Sequence, residues 1–172
     1  MDYFIILEDI LLTKLPKEKF IKFDKFYKLF LENKLIFDHN YRALDLENPS
    51  YNDFLSIVKP TKLPPIKNFK TKEGKKYLIH TILHIEYSAV DLALDAALRY
   101  QNMPLEFYKD WLEVASDEIR HFLMLEKLLN ELNGFYGEFE VHKNLFEAMQ
   151  QTPDLLSRMA CIPRYLEANG LD

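Results

Sequence analysis

The sequence predicts an all-α protein, and three features of its composition and patterning support that fold class. The chain of 172 residues has only four glycines, against thirteen phenylalanines and ten tyrosines, whereas a sheet sandwich needs frequent glycine-rich turns. Long stretches lack turn residues and repeat apolar side chains every three or four positions. With 48% hydrophobic residues, the chain can bury one core but is too short for two large domains.

Charge and cysteine content argue against several classes of protein. The formal net charge is −5, and outside a lysine-rich stretch from Lys59 to Lys76 the basic residues are scattered, so nucleic acid is not the expected partner. The single cysteine, Cys161, fits a reducing compartment and predicts a cytoplasmic protein. The first 15 residues lack the features of a signal peptide. No apolar run approaches the ~20 residues that cross a bilayer, so no membrane partner is expected.

The first third of the chain is predicted to be an N-terminal helical extension, residues 1–58. Aromatic side chains recur every three or four positions from Pro16 to Leu31, which indicates an amphipathic helix, and proline suits its first turn. Ser50, followed three residues later by Asp53, predicts a short capped helix. Prolines within residues 59–71 then predict a linker that is rich in proline and lysine and lacks regular structure.

Residues 72–172 are predicted to form the helical bundle. Asn102 to Pro104 should separate the first two long helices, with Gly134 ending the second. Thr152, Pro153 and Asp154 combine a capping threonine, a proline and an acidic residue, which is typical of a helix start. Pro163 should kink that last helix. The helices are expected at about 73–100, 104–133, 141–150 (a short crossover helix) and 153–168.

Each of the first two long helices carries a glutamate in its apolar stripe. Glu86 stands at the centre of the stripe on the first helix, and Glu118 holds the same position on the second. A carboxylate within an apolar stripe is unfavourable unless a cation, a proton or a metal ion compensates its charge. We therefore expect both glutamates to face a shared core.

Glu118 and His121 form a Glu-x-x-His pair. Helix-bundle di-iron proteins use this pair because a spacing of three places an oxygen and an imidazole nitrogen on one helix face. The same pattern also occurs by chance. In the alternative interpretation Glu118 pairs with an arginine such as Arg99 or Arg158, and His121 is a hydrogen-bonded core histidine. The residues alone leave both interpretations open.

The remaining histidines and the cysteine are predicted to have other roles. His80 and His84 are four residues apart and offer a second possible metal pair, for instance for zinc. Their position away from Glu86 instead predicts surface or interface residues. His142 is expected to have a structural role, such as capping a helix. Cys161 is expected to be a small core residue, because no histidine pairs with it in a recognisable pattern.

Five short motifs carry a resemblance to a known family. They are His84-Ile85-Glu86, Asp110-Trp111, Glu118 with His121, Tyr136-Gly137 with His142, and Pro163-Arg164-x-x-Glu167-Ala168-x-Gly170-Leu171-Asp172. Together they resemble the bacterial ferritin-like family catalogued as domain of unknown function four-five-five. The resemblance runs from about Leu63 to Asp172, and the last motif is the most specific. Members are similar to di-iron carboxylate oxygenases, including tRNA-modifying hydroxylases.

The resemblance implies a ferritin-like bundle with metal ligands on three helices. By position it makes Glu86, Glu118, His121 and Glu167 the metal ligands, with iron as the metal and Glu118 bridging two ions. A fourth bundle helix should carry another Glu-x-x-His pair, and this sequence has none. We therefore expect an incomplete site that holds no metal or one weakly bound ion.

Two functions from different classes follow. The resemblance implies a di-iron oxidoreductase that, in an intact site, oxidises or hydroxylates a small or nucleotide-linked substrate, with a tRNA-type substrate suggested by analogy. The alternative is a non-catalytic helical interaction protein that dimerises and binds no metal. In either case a missing helix would leave an apolar stripe exposed, so a homodimer is expected, with the aromatic helix around Phe20 to Phe30 as one candidate surface.

Overall fold

The computed structural model describes residues 1–64 and 70–162, and its regular structure there is helical. Residues Ser50–Asp53 and Pro60–Lys62 form short 3₁₀ helices. The described α-helices are α1 (Tyr3–Leu12), α2 (Pro16–Leu31), α3 (Lys72–Arg99), α4 (Leu105–Glu131), α5 (Asn144–Gln151) and α6 (Leu155–Cys161). The prediction of an all-α protein is confirmed for this part of the chain, in which no helix is both long and apolar enough to cross a membrane.

Helices α3 and α4 pack along each other, and their ends lie close to the predicted bounds. The side chain of Thr71 accepts a hydrogen bond from Gly74 N and caps the start of α3. After α4 the amide of Gly134 donates to the carbonyl of Leu129 over 3.0 Å. A Cβ at Gly134 would lie 2.7 Å from Leu129 Cδ1 and 2.9 Å from Glu138 Oε2. Only glycine fits this stop without displacing its neighbours.

Helix α1 lies within the predicted N-terminal helical extension but was not predicted as a separate helix. Asp2 accepts a hydrogen bond from Ile5 N over 3.0 Å and caps the helix. Tyr3, Phe4 and Leu7 are fully buried. These side chains belong to the same hydrophobic core as those of α3 and α4, so the N-terminal extension is part of one continuous core. The cap and the apolar spacing were signals that the sequence offered.

Helix α2 confirms the predicted amphipathic pattern but also buries a lysine. Lys19 is fully buried, forms an ion pair with Asp91 of α3, and donates a hydrogen bond to Ser50 Oγ over 2.8 Å. Ser50 in turn donates to Asp91 Oδ2 over 2.6 Å. The predicted capping role of Ser50 is therefore wrong, because its hydroxyl joins a buried ion pair instead. Burial lowers the pKa of Lys19, and Asp91 opposes that effect.

Asp95 of α3 pairs with the two arginines that the alternative interpretation assigned to Glu118. The Asp95 and Arg158 side chains are almost completely buried, and Arg158 Nη1 lies 2.9 Å from Asp95 Oδ2. Arg99 Nη2 lies 2.8 Å from Asp95 Oδ1. Arg158 also donates through Nε to Thr152 Oγ1 over 2.9 Å. Both arginines that the alternative interpretation gave as examples therefore pair with Asp95 and not with Glu118.

The last described helix starts later than predicted. Asp154, and not Thr152, caps α6 by accepting a hydrogen bond from Ser157 N over 2.9 Å. Thr152 instead donates its hydroxyl to the carbonyl of Ala148 over 2.7 Å. Pro163 and the kink predicted there lie outside the described residues.

His80 and His84 are buried, so the prediction of surface or interface residues is wrong. Their side chains form hydrogen bonds with the segment that follows α4. The amide of Gly137 donates to His80 Nε2 over 2.9 Å, and Tyr136 Oη lies 2.9 Å from His84 Nδ1. His84 Nε2 donates to the carbonyl of His142 over 2.7 Å. The sequence could not show this contact, because the residues involved are more than 50 positions apart.

We expect Asp95→Asn to lower the free energy of unfolding by about 3 kcal/mol, since it leaves the buried Arg158 guanidinium without its carboxylate. Urea denaturation followed by circular dichroism measures this. Asp45→Asn is the matched control, because Asp45 contacts Arg99 from a fully exposed position, and it should change stability by less than about 0.5 kcal/mol. Equal losses in the two variants would contradict the importance of the buried pair.

We also expect His80 to make stability depend on pH. Burial lowers the pKa of His80 to about 4, while the nearby Glu138 carboxylate acts in the opposite direction. An unfolded histidine titrates near 6.5, so the unfolded state binds more protons between these values and stability falls as pH decreases from about 6.5 to 4. Protonation of the unfolded histidine therefore lowers stability by up to about 3 kcal/mol as the pH falls to 4, a loss that is absent well above pH 6.5.

Urea titrations from pH 4.5 to 8 on the wild-type chain and on His80→Gln test this dependence. The variant should lose less stability than the wild type between pH 6.5 and 4.5. Above pH 7, where His80 is neutral in both states, the two curves should run parallel. Unchanged pH dependence in the variant would contradict the assigned role.

Candidate metal centre

The structure brings together Glu86 from α3 with Glu118 and His121 from α4. Each offers one ligand atom, and these atoms all lie within 4.8 Å of one another. Glu118 and His121 are one turn apart on α4, so their side chains leave the same helix face. Among the described residues, this is the one group of three or more His, Cys, Asp or Glu side chains that converges in this way.

The hydrogen bonds of His121 fix which ring nitrogen carries the proton. Nη2 of Arg120 lies 3.3 Å from His121 Nε2. A guanidinium nitrogen can only donate, so Nε2 accepts and Nδ1 is protonated. Nδ1 then donates to Glu118 Oε2 over 3.1 Å, and Glu86 Oε2 lies 3.7 Å from the same nitrogen. A metal bound through Nδ1 would replace that proton.

The three side chains are less buried than the sequence predicted. The exposed fractions are 21% for Glu86, 20% for Glu118 and 40% for His121, so these side chains lie half-buried rather than deep in the core. Ile119, directly after Glu118, is the residue that points into the core. Successive helical residues are about 100° apart, which places Glu118 at the edge of the contact between α3 and α4.

Apolar side chains flank the three ligands on the same surface. Val114 and Leu128 of α4 share the stripe of Glu118 and His121, and Ile85 precedes Glu86 on α3, about 100° around that helix. These three apolar residues are 41–43% exposed. The candidate centre therefore lies on a partly apolar, solvent-accessible face of the helix pair.

The donor set fits a divalent transition metal. Two carboxylates and one imidazole are ligands that iron, manganese and zinc accept. Three protein ligands leave coordination positions open to water or substrate. Glu167, the fourth predicted ligand, lies outside the described residues.

The other histidines have structural surroundings. His142 Nδ1 accepts a hydrogen bond from Asn144 N over 3.4 Å at the start of α5, which is the kind of capping role the sequence predicted. His80 and His84 belong to the contact between α3 and the segment after α4 and are absent from the ligand group. Sequence reasoning missed Arg120, whose position next to His121 was the available signal.

Comparisons with known proteins give a family but no activity. No solved structure is significantly similar to the chain. An uncharacterized protein of Haemophilus influenzae (strain ATCC 51907 / DSM 11121 / KW20 / Rd) is 43% identical over 124 residues, which cover 67% of this chain. The match spans 43% of that relative, so this chain corresponds to less than half of its length. The family described as "Protein of unknown function (DUF455)" matches residues 12–172, and the chain therefore belongs to that family.

Proposed function

We propose that Glu86, Glu118 and His121 bind a divalent metal ion, with iron as the first candidate. The observation that carries this proposal is the convergence of their ligand atoms within 4.8 Å on two neighbouring helices. Ferritin-like di-metal sites combine a lone glutamate from one helix with a Glu-x-x-His pair from another, and do so twice. Helices α3 and α4 supply one such half, and Glu167 is the proposed ligand of the second half.

In this proposal the chain's own residues hold and orient the ion. By the family resemblance Glu118 would be the carboxylate that bridges two ions, and His121 would supply the imidazole. Two irons bound there would deliver electrons to oxygen, and the activated oxygen would oxidise or hydroxylate a small or nucleotide-linked substrate; this reaction class rests on the family resemblance. The exposed position of His121 leaves the centre accessible to such a substrate.

We expect the wild-type chain to bind about one ferrous ion, and only weakly, because three ligands hold an ion less well than a closed set. Glu118→Ala and His121→Ala should each reduce the affinity by at least about tenfold, since each removes one of three ligands. Anaerobic isothermal titration with ferrous iron measures both affinity and stoichiometry. Manganese and zinc are titrated in parallel to identify the preferred ion.

Two control variants separate loss of a ligand from a general change in charge or folding. Asp117→Ala removes the exposed acid next to Glu118, which pairs with Arg120, and should leave the affinity within about twofold. His142→Ala should lower it less than Glu118→Ala does. If the wild-type chain binds none of the three metals, or if His142→Ala and Glu118→Ala cause equal losses, the assigned ligand set is wrong.

A second candidate function is a non-catalytic interaction protein that binds no metal. The observation that favours it is the set of exposed apolar side chains on α3 and α4, such as Ile85, Val114 and Leu128, because such patches commonly mark binding surfaces. The same titration distinguishes the two functions. Metal binding that Glu118→Ala removes and Asp117→Ala preserves would contradict the second.

A further inference from the structure

A groove between α2 and α4 lies away from the candidate metal centre. Its floor consists of Phe20, Ile119 and Phe122, which are at least 91% buried. Ile21 on α2 and Leu123 on α4 form its walls, and each is 50% exposed. The groove encloses about 710 Å³. Apolar walls this exposed around an apolar floor offer a surface that another apolar surface could cover.

The two walls of the groove carry opposite charge. Of the residues that line the groove, α2 contributes Lys17, Asp24 and Lys25, for a net charge of +1, and α4 contributes Glu126, for a net charge of −1. The surface therefore contains both members of a complementary pair, as a surface that binds a copy of itself requires.

Glu126 on the rim of the groove lacks full compensation for its charge. Burial raises its pKa, and the charge of Lys17 on the opposite wall offsets this only in part. A cation brought closer by a bound partner would stabilise the carboxylate. The groove thus contains, beside its exposed apolar walls, a carboxylate that a cation of a bound partner would stabilise.

The order of residues along the walls follows from their contacts. The ring centroids of Phe20 and Phe122 lie 5.1 Å apart. The charge of Lys17 lowers the pKa of Glu126 and so opposes the effect of burial. Further along α2, burial raises the pKa of Tyr27, and the nearby acids Glu113 and Asp117 raise it further. Residue numbers thus rise on α2 as they fall on α4, so the helices run antiparallel. Lys17 is level with Glu126, and Ile21 lies near the level of Leu123.

We propose that this groove is the interface through which two copies of the chain associate, about a two-fold axis parallel to the groove. Such an axis places α2 of each copy on α4 of the other at the same level. Ile21 then packs on Leu123 of the second copy, and Lys17 faces Glu126 of the second copy. Each contact occurs twice, and the basic wall meets the acidic wall on both sides.

The apolar part of the interface is tested with Ile21→Asp and Leu123→Asp. Sedimentation equilibrium or light scattering over a range of concentrations should give a dimer for the wild-type chain. Each variant should raise the dissociation constant at least about tenfold, because it places a charge in the apolar centre of the interface. Leu156→Asp is the control, since Leu156 is 81% exposed on α6 and outside the groove, and it should remain dimeric. Circular dichroism verifies that every variant is folded.

A mixing experiment tests which helix meets which. Lys17→Glu alone places two acids opposite each other, and Glu126→Lys alone places two cations opposite each other, so each should weaken its own homodimer about tenfold. An equimolar mixture of the two variants should form a heterodimer with wild-type affinity, because both contacts are then between opposite charges. If Lys17 and Glu126 met only within one chain, mixing the two variants would not restore the affinity.

A wild-type chain that stays monomeric at all concentrations would overturn the proposal, and so would a dimer unaffected by Ile21→Asp and Leu123→Asp. A dimer that these variants weaken without recovery in the mixture would overturn the two-fold arrangement of α2 on α4. Metal titration of the groove variants provides a separate readout, because none of the three proposed ligands lines the groove. Failure of metal binding alone would leave this interface intact.

Discussion

The rest of the structure depends on the ionisable side chains that α3 carries into the interior. Asp91 and Asp95 are buried carboxylates, and His80 and His84 are buried imidazoles. A buried charge or an unmatched polar group is unfavourable, so each needs a compensating partner. These partners come from different parts of the chain. The ion pairs and hydrogen bonds of α3 therefore fix where those parts lie.

The polar partners of α3 position three other parts of the chain. Lys19 places α2 and the 3₁₀ helix Ser50–Asp53 at the level of Asp91. Arg158 attaches α6 at the level of Asp95, one turn further on. The two histidines hold the segment that connects α4 to α5. Buried networks of this kind favour one arrangement over others because any shift leaves several groups unsatisfied at once.

The face of the helix pair that carries the candidate metal centre is more exposed to solvent than the buried ion pairs of α3. Glu86, Glu118 and His121 are 20–40% exposed, and part of their environment is solvent. A carboxylate at such an edge is stable without a buried cation, because water compensates its charge. The arrangement is therefore compatible with a centre that gains and loses an ion, whereas the buried pairs of Asp91 and Asp95 hold the fold.

The sequence by itself determined the helical class, the extent of α2, α3 and α4, and the identity of the three residues that converge. These follow from local rules: apolar spacing, proline and glycine at helix ends, and the Glu-x-x-His spacing of Glu118 and His121. Only the tertiary structure decided that Arg158 pairs with Asp95 and that His80 is buried. Both depend on contacts between residues more than 50 positions apart, for which spacing along one helix carries no information. The exposure of Glu118 was likewise decided by the rotation of α4 against α3, since a stripe that is apolar in sequence can face either the core or the edge of a helix pair.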